Sequence, residues 1–325
     1  MVRPVRAPRR SALRQPTVVV YLALVLLLIG GSVLVGVNGG VLLDQGGILN
    51  ILTRSTALGL VAIGQTLVIL TGKLDLSVAY LIGLCSLIGA ETMGGDPGMI
   101  VPAVLLTLAC AAGVGLINGL VITKLKVNAF IATLGTALVI RGYLESSYTG
   151  PAGDVPRAFQ RLGYDRIGPI PVSTLVMLAL AALVWWYLTR TRGGYHIYSV
   201  GGDEEVARFS GIRTDRTIVK VHVLCSVAAG LAGLFLASRL GSGAPWVGTD
   251  AGYDLESIAA VVLGGTLLAG GRGGVAGTIG GVLILATLDT IFDDLGVTPF
   301  FKDVVRGVVL IVAVALYARR QRSLR

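Results

Sequence analysis

Residues 18–37 read VVVYLALVLLLIGGSVLVGV, twenty positions without a single charge. A helix of about 20 mostly apolar residues crosses a hydrocarbon layer about 30 Å thick, so this stretch reads as a transmembrane span. Working outward from it, apolar windows recur near 48–70, 74–93, 98–122, 127–148, 170–189, 217–240, 253–269, 274–292 and 300–318, which predicts ten spans in all. The expected fold is all-α and polytopic. A basic tail covers 1–17, a transmembrane domain 18–318, and a second basic tail 319–325. Composition agrees: 54% of the 325 residues are hydrophobic and 14% charged, against about 25% charged in soluble chains. Too little polar surface remains for a cytosolic enzyme.

Ten spans place both termini on one side, and the basic residues indicate which. Positive charge concentrates in cytoplasmic loops. With the termini inside, 19 of the 27 basic residues lie in inner segments, against Arg157, Arg161, Arg166 and Lys302 outside. The expected setting is therefore a membrane with both termini cytoplasmic. The net charge of +9 reads as an inner-face excess meeting anionic membrane lipid, since no basic stripe interleaved with aromatics suggests nucleic acid. The N-terminal arginines do not suggest a cleaved signal, because the apolar run exceeds the 7–15 residues of such a segment and no A-x-A-like site follows before Asn38. Cys85, Cys110 and Cys225 fall inside spans and read as small buried hydrophobes.

Catalytic signatures are missing. Gly72-Lys73 lacks the earlier glycine and the following Ser or Thr of a nucleotide-binding loop, so ATP hydrolysis is not expected of this chain. His196 and His222 have no carboxylate partner at helical spacing, and no Gly-x-Ser-x-Gly elbow occurs. Gly270-Gly271-Arg272-Gly273-Gly274 joins two apolar windows without a preceding strand, which fits a tight turn better than a phosphate cradle. No catalytic residue, metal ligand or resident cofactor is read from the chain.

A glycine-rich helical bundle without catalytic groups suggests a transporter, whose polar interior residues mark candidate paths. Asp75, Glu145, Asp254, Glu256 and Asp289 lie near span ends, where headgroup water is within reach, although charge inside a bilayer otherwise needs a partner or a wet cavity. Gln65, Asn118, Thr133, Thr136 and Thr278 lie deeper. They can either join helices or line a path for a hydroxyl-rich solute. Gly113, Gly115, Gly119, Gly277, Gly280 and Gly281 permit close helix approach.

The long inner loop, 190–216, carries a helix signature of its own. Gly202 or Asp203 can cap it, Asp203, Glu204 and Glu205 complement its positive end, Arg208 sits in its last turn, and Gly211 suits the left-handed position beyond. About two turns are marginal alone in water. Val206 and Phe209, at i and i+3, give it an apolar stub suited to a cytoplasmic partner or to the bilayer surface.

Several blocks in fixed order resemble one family. They are Gly64-Gln65-Thr66-Leu67 leading to Asp75-Leu76-Ser77-Val78; Asn118-Gly119-Leu120 with Phe130-Ile131-Ala132-Thr133-Leu134-Gly135-Thr136; Tyr198 through Ile212; and Gly252-Tyr253-Asp254-Leu255-Glu256-Ser257 running on to Gly264-Gly265-Thr266, Gly270-Gly271-Arg272-Gly273 and Gly277-Thr278. Over about residues 45–316 the chain resembles the permease subunits of bacterial ABC importers for monosaccharides, a superfamily shared with branched-chain amino acid permeases. The resemblance implies that residues 203–211, comprising Asp203, Glu204, Glu205, Val206, Ala207, Arg208, Phe209 and Gly211, form a coupling helix docking on a separate ATPase subunit. It further implies a second permease chain, an extracytoplasmic sugar-binding protein, and ATP and Mg bound only by the partner ATPase.

Departures from the family pattern also stand out. Where the family usually has Gly-Gly-Ile-Asp-Leu-Ser, this chain has Gly72-Lys73-Leu74-Asp75-Leu76-Ser77, setting a cation beside an acid as a candidate local pair. Asn128-Ala129 replaces a usual pair of prolines, and Asp289-Thr290 a usual Asn-Gly. The expected function is a sugar-importing permease. A branched-chain amino acid permease, an ion- or proton-coupled carrier and a structural scaffold are the alternatives.

Overall fold

The computed structural model describes residues 16–298, 300–302, 304–305 and 307–308. Most of the tail at 1–17, most of the expected tenth span at 300–318 and the tail at 319–325 lie outside the described residues. Twelve α-helices are described: α1 (Pro16–Val37), α2 (Gln45–Leu70), α3 (Val78–Met93), α4 (Ile100–Lys124), α5 (Ala129–Ser147), α6 (Arg157–Tyr164), α7 (Val172–Arg190), α8 (Arg192–Gly202), α9 (Glu204–Phe209), α10 (Thr214–Leu240), α11 (Tyr253–Leu263) and α12 (Val275–Asp294). The described strands are one two-residue antiparallel pair, β1 (Arg166–Ile167) and β2 (Ile170–Pro171).

Six of these helices, α1, α2, α4, α7, α10 and α12, are long and apolar enough to cross a bilayer. The protein is thus an all-α, multi-pass membrane protein. Ten full-length helices are not what the structure shows. The apolar helix α3 has 16 residues, and α11, expected to run over 253–269, ends at Leu263. There Gly264 lies against α12, where a Cβ would sit 2.5 Å from the Gly277 carbonyl carbon. Gly265 follows with φ +87°, and the chain stays irregular until α12 begins.

Helix α10 is the central strut, packed on α2, α3 and α4. Gly115 and Gly119 of α4, one turn apart, let its backbone touch α10: Cβ atoms there would lie 2.6 Å from the His222 carbonyl and 2.7 Å from Val219 Cα. Such small-residue seams replace the hydrophobic effect as the source of helix contact in lipid. Gly113, also read as a packing glycine, faces open space. Leu22, Leu26, Ile29 and Val33 of α1 and Ile131, Leu134, Leu138 and Val139 of α5 are exposed, as lipid-facing side chains are.

Between α10 and α11 the helix is broken. Gly241 caps α10 with φ +73°, and the chain then runs beside α3. Its backbone groups are satisfied there: Gly243 exchanges hydrogen bonds of 2.9 Å with Ala152, and Ser86 Oγ both accepts from Ala244 N and donates to Ala244 O at 3.1 Å. Non-helical backbone at membrane depth requires such partners.

Candidate functional site

Helix α9 forms as its local sequence dictates. Asp203 Oδ1 accepts from Glu205 N and Val206 N, both at 2.9 Å. At the other end Gly211 takes φ +83°, while Gly211 N donates to Arg208 O and Ile212 N to Ala207 O, the paired pattern that stops a helix. Ala207 is buried against Ile122, Ala129, Ala132, Val200 and Ile218. The opposite face is bare: Val206 is 60% and Phe209 80% exposed. Arg208 lies 6.0 Å from the centre of the Phe209 ring and 3.8 Å from Glu205. The anticipated local pair between Lys73 and Asp75 is absent. Lys73 Nζ instead meets Glu204 Oε2 at 3.0 Å, so the cation ties the chain after α2 to the first residue of α9.

Ahead of α9 lies α8, within a stretch expected to be loop. Its glycines hid it, and its burial explains it: Thr191 Oγ1 accepts from Gly194 N at 3.2 Å, and Ile197 and Val200 are buried. Its last turn enters a joint of three glycine corners. A Cβ on Gly201 would fall 1.8 Å from Leu70 O, and one on Gly270 2.7 Å from Gly72 N. Gly271 N donates to Leu70 O at 3.0 Å. Tyr198 Oη closes the joint by donating to Gly273 O at 3.0 Å. Burial pushes its phenol up.

The deep polar residues read as path candidates are brought together, largely by bonding one another. Thr136 Oγ1 donates to Asn118 Oδ1 at 2.6 Å, Asn118 Nδ2 to Ser77 Oγ at 3.0 Å, and Ser77 Oγ to Asp75 Oδ1 at 2.6 Å. Gln65 Nε2 donates to Asp75 O at 3.3 Å, and Cys225 Sγ to Gln65 Oε1 at 3.5 Å. Thr133 Oγ1 accepts from Leu76 N at 3.1 Å, while Thr278 pairs with Thr66 at 2.8 Å. This polar chain links α2, α4, α5 and α10 through the segment before α3. Asp75 is fully buried, not within reach of headgroup water. Replacing Asn118 by Leu removes its hydrogen bonds to Ser77 and Thr136, at about 1 kcal/mol each. The expected result is a lower unfolding midpoint in detergent.

A cavity of about 780 Å³ opens at the α6 end of the bundle. The break between α10 and α11 contributes Trp246, Asp250 and Tyr253, α11 contributes Glu256, and α12 contributes Asp289. Arg54 and Lys302 also line it, and both pair with Asp293. The five path candidates lie elsewhere. Trp246 and Asp250 escaped the sequence reading because Gly241-Ser-Gly-Ala-Pro245 looks like a surface loop. Their signal was an aromatic and an acid inside a glycine-rich interruption between two apolar windows.

A smaller cavity of about 480 Å³ lies beside α9, with Lys73, Lys126, Asn128 and Glu204 in its wall.

A profile of the branched-chain amino acid transport system / permease component family matches residues 47–314. The ribose import permease protein of Escherichia coli strain K12 is 40% identical over 281 residues, which is 84% of this chain and 85% of that protein. The ribose import permease protein of Bacillus subtilis strain 168 is 41% identical over 275 residues, 83% of this chain and 84% of that one. The galactose/methyl galactoside import permease protein of Haemophilus influenzae is 32% identical over 295 residues, covering 84% and 87%. No solved structure gives a significant match. With matched residues running from the first turn of α2 through α12, the chain belongs to the branched-chain amino acid transport system / permease component family and is a membrane permease subunit.

Proposed function

We propose that this permease carries a neutral monosaccharide, a pentose or hexose, in an ATP-driven ABC importer. One observation carries the reading: relatives named for ribose import share about two-fifths of their residues with this chain over more than four-fifths of its length. Those named for galactose and L-arabinose follow at lower identity. The amino acid alternative is weaker, because these extended matches are to sugar permeases.

In this reading α9 is the coupling helix and its end of the bundle is cytoplasmic. Val206 and Phe209 fit a groove on a separate ATPase subunit, which binds ATP and Mg, while Ala207 and Glu204 anchor the helix to the permease. The α6 end faces outward toward an extracytoplasmic sugar-binding protein. Two permease chains enclose the path. Ten passages result if α3, α5, the α10–α11 break with α11, and the segment at 300–318 each count as one. Positive charge around α8 and α9 supports this orientation.

The test is reconstitution of the permease with its ATPase and binding protein in proteoliposomes, followed by uptake of labelled D-ribose, D-galactose, L-arabinose and L-leucine. Uptake of a sugar that requires ATP is expected. Leucine uptake alone, or sugar uptake that survives ATP removal and collapses with a protonophore, overturns the reading.

A further inference from the structure

We propose that the cavity at the α6 end is a subsite for a neutral polyhydroxyl solute, hydrogen-bonded by Asp250 and Glu256 and stacked on Trp246. The inference rests on the monosaccharide reading and adds to it where the chain holds the solute and which charge it rejects.

The cavity exists because the helix breaks. Had α10 continued straight past Leu240, no extended segment would descend beside α3 to carry Trp246 and Asp250 to its wall. Irregular backbone inside a membrane protein is tolerated where it is buried in protein or lines a wet cavity, and interrupted helices commonly mark transporter sites. Here both conditions meet: Ser86 and Ala152 hold the start of the segment, and its later residues line about 780 Å³ of space. That volume falls within the roughly 300–1,000 Å³ of small-molecule pockets.

The lining selects the chemistry. A sugar presents hydroxyl donors around its rim and a C–H face on its ring. Ionised carboxylates only accept, with about four lone-pair sites each, and bonds to an ionised acceptor are the stronger kind. Trp246, 41% exposed, offers a flat apolar face, and Tyr253 lies in the same wall. Glu256 and Asp289 hold interactions within the protein as well.

Charge decides between neutral and anionic solutes. Among the described lining residues the two cations, Arg54 and Lys302, are both drawn to Asp293. The described acids of the wall, Asp250, Glu256 and Asp289, outnumber them. A sugar acid or sugar phosphate meets net repulsion there, whereas a neutral sugar does not.

Trp246 itself supplies the readout. The chain has three tryptophans, and the exposed Trp185 and Trp186 can be replaced by Phe, leaving Trp246 alone. The full chain in nanodiscs is titrated with D-ribose, D-galactose, L-arabinose, D-gluconate and ribose 5-phosphate. A saturable fluorescence change is expected with at least one neutral sugar and none with the two anions. Asp250→Asn should weaken that response about tenfold, the loss of one charge-assisted hydrogen bond. In the reconstituted importer Trp246→Ala should cut uptake about tenfold, and Trp246→Phe, which keeps a smaller stacking face, should restore part of that loss.

Outcomes separate cleanly. A wild-type importer that moves no sugar defeats the monosaccharide reading. A wild-type importer that moves sugar while Trp246 stays silent, or while Trp246→Ala and Asp250→Asn transport normally, defeats the subsite alone. An equal response to gluconate also overturns it.

Discussion

Replacing Val206 and Phe209 together by aspartate is expected to abolish ATP-driven uptake while leaving the permease folded. The folding half follows from exposure: both side chains point away from the protein, and surface changes of this kind usually move stability by no more than about 0.5 kcal/mol. The helix itself keeps its Asp203 cap and its anchor through Ala207. The functional half follows from what a partner groove would have to accept. An unpaired carboxylate in an apolar site costs several kcal/mol, and each 1.4 kcal/mol is about a tenfold loss of affinity. Two such groups lower docking of the ATPase by at least about a hundredfold. Co-purification of the ATPase, sugar-stimulated ATP hydrolysis and uptake should all fall together, with the unfolding midpoint unchanged. Normal uptake would remove α9 from the coupling role.

Gly201→Ala is expected to damage the protein far more than Gly202→Ala, its neighbour in the same helix turn. A methyl on Gly201 would meet Leu70 O at 1.8 Å and Gly271 N at 2.6 Å, whereas one on Gly202 would meet nothing within 4 Å. The obstructing atoms are backbone and cannot rotate aside. Overpacking commonly costs about 1–3 kcal/mol, and separating the corners also breaks the Gly271-to-Leu70 hydrogen bond. A fall of about 5 °C or more in the apparent midpoint is expected for Gly201→Ala, with none for Gly202→Ala. Equal midpoints would show that the joint yields to a methyl group.

Local signals were legible in the sequence and tertiary ones were not. Asp203 and Gly211 mark α9 within two residues of its observed ends because both act on backbone groups only a few positions away. The six long crossing helices announce themselves by apolar length. Helix α8 was missed since Gly193, Gly194, Gly201 and Gly202 disfavour a helix until Ile197 and Val200 are buried. The partner of Lys73 is Glu204, far along the chain, and no spacing rule connects them. Asp75 looked wet because it sits near a span end, yet the chain turns back after Leu70 and carries it to the level of Gln65. The early end of α11 reflects contact between Gly264 and Gly277, which no helix propensity encodes. Residues 241–252 fall between two expected spans, and their placement comes from Ser86 and Ala152, on other elements.

The joint at Leu70, Gly201 and Gly270 also sets a scale of motion. Helix α2 rises from it toward the cavity, reaching Arg54 sixteen residues later, about 24 Å along the axis at 1.5 Å per residue. With its end pinned at these close backbone contacts, α2 can act as a lever arm. A tilt of about 5° at that fulcrum displaces Arg54 by about 2 Å, comparable to the small helix shifts that separate functional states elsewhere. Helix α12 leaves the same fulcrum and carries Asp289 to the cavity wall. If α9 takes the proposed coupling role, a push on it too slight to disturb the core would be geared up into a change of aperture at the cavity.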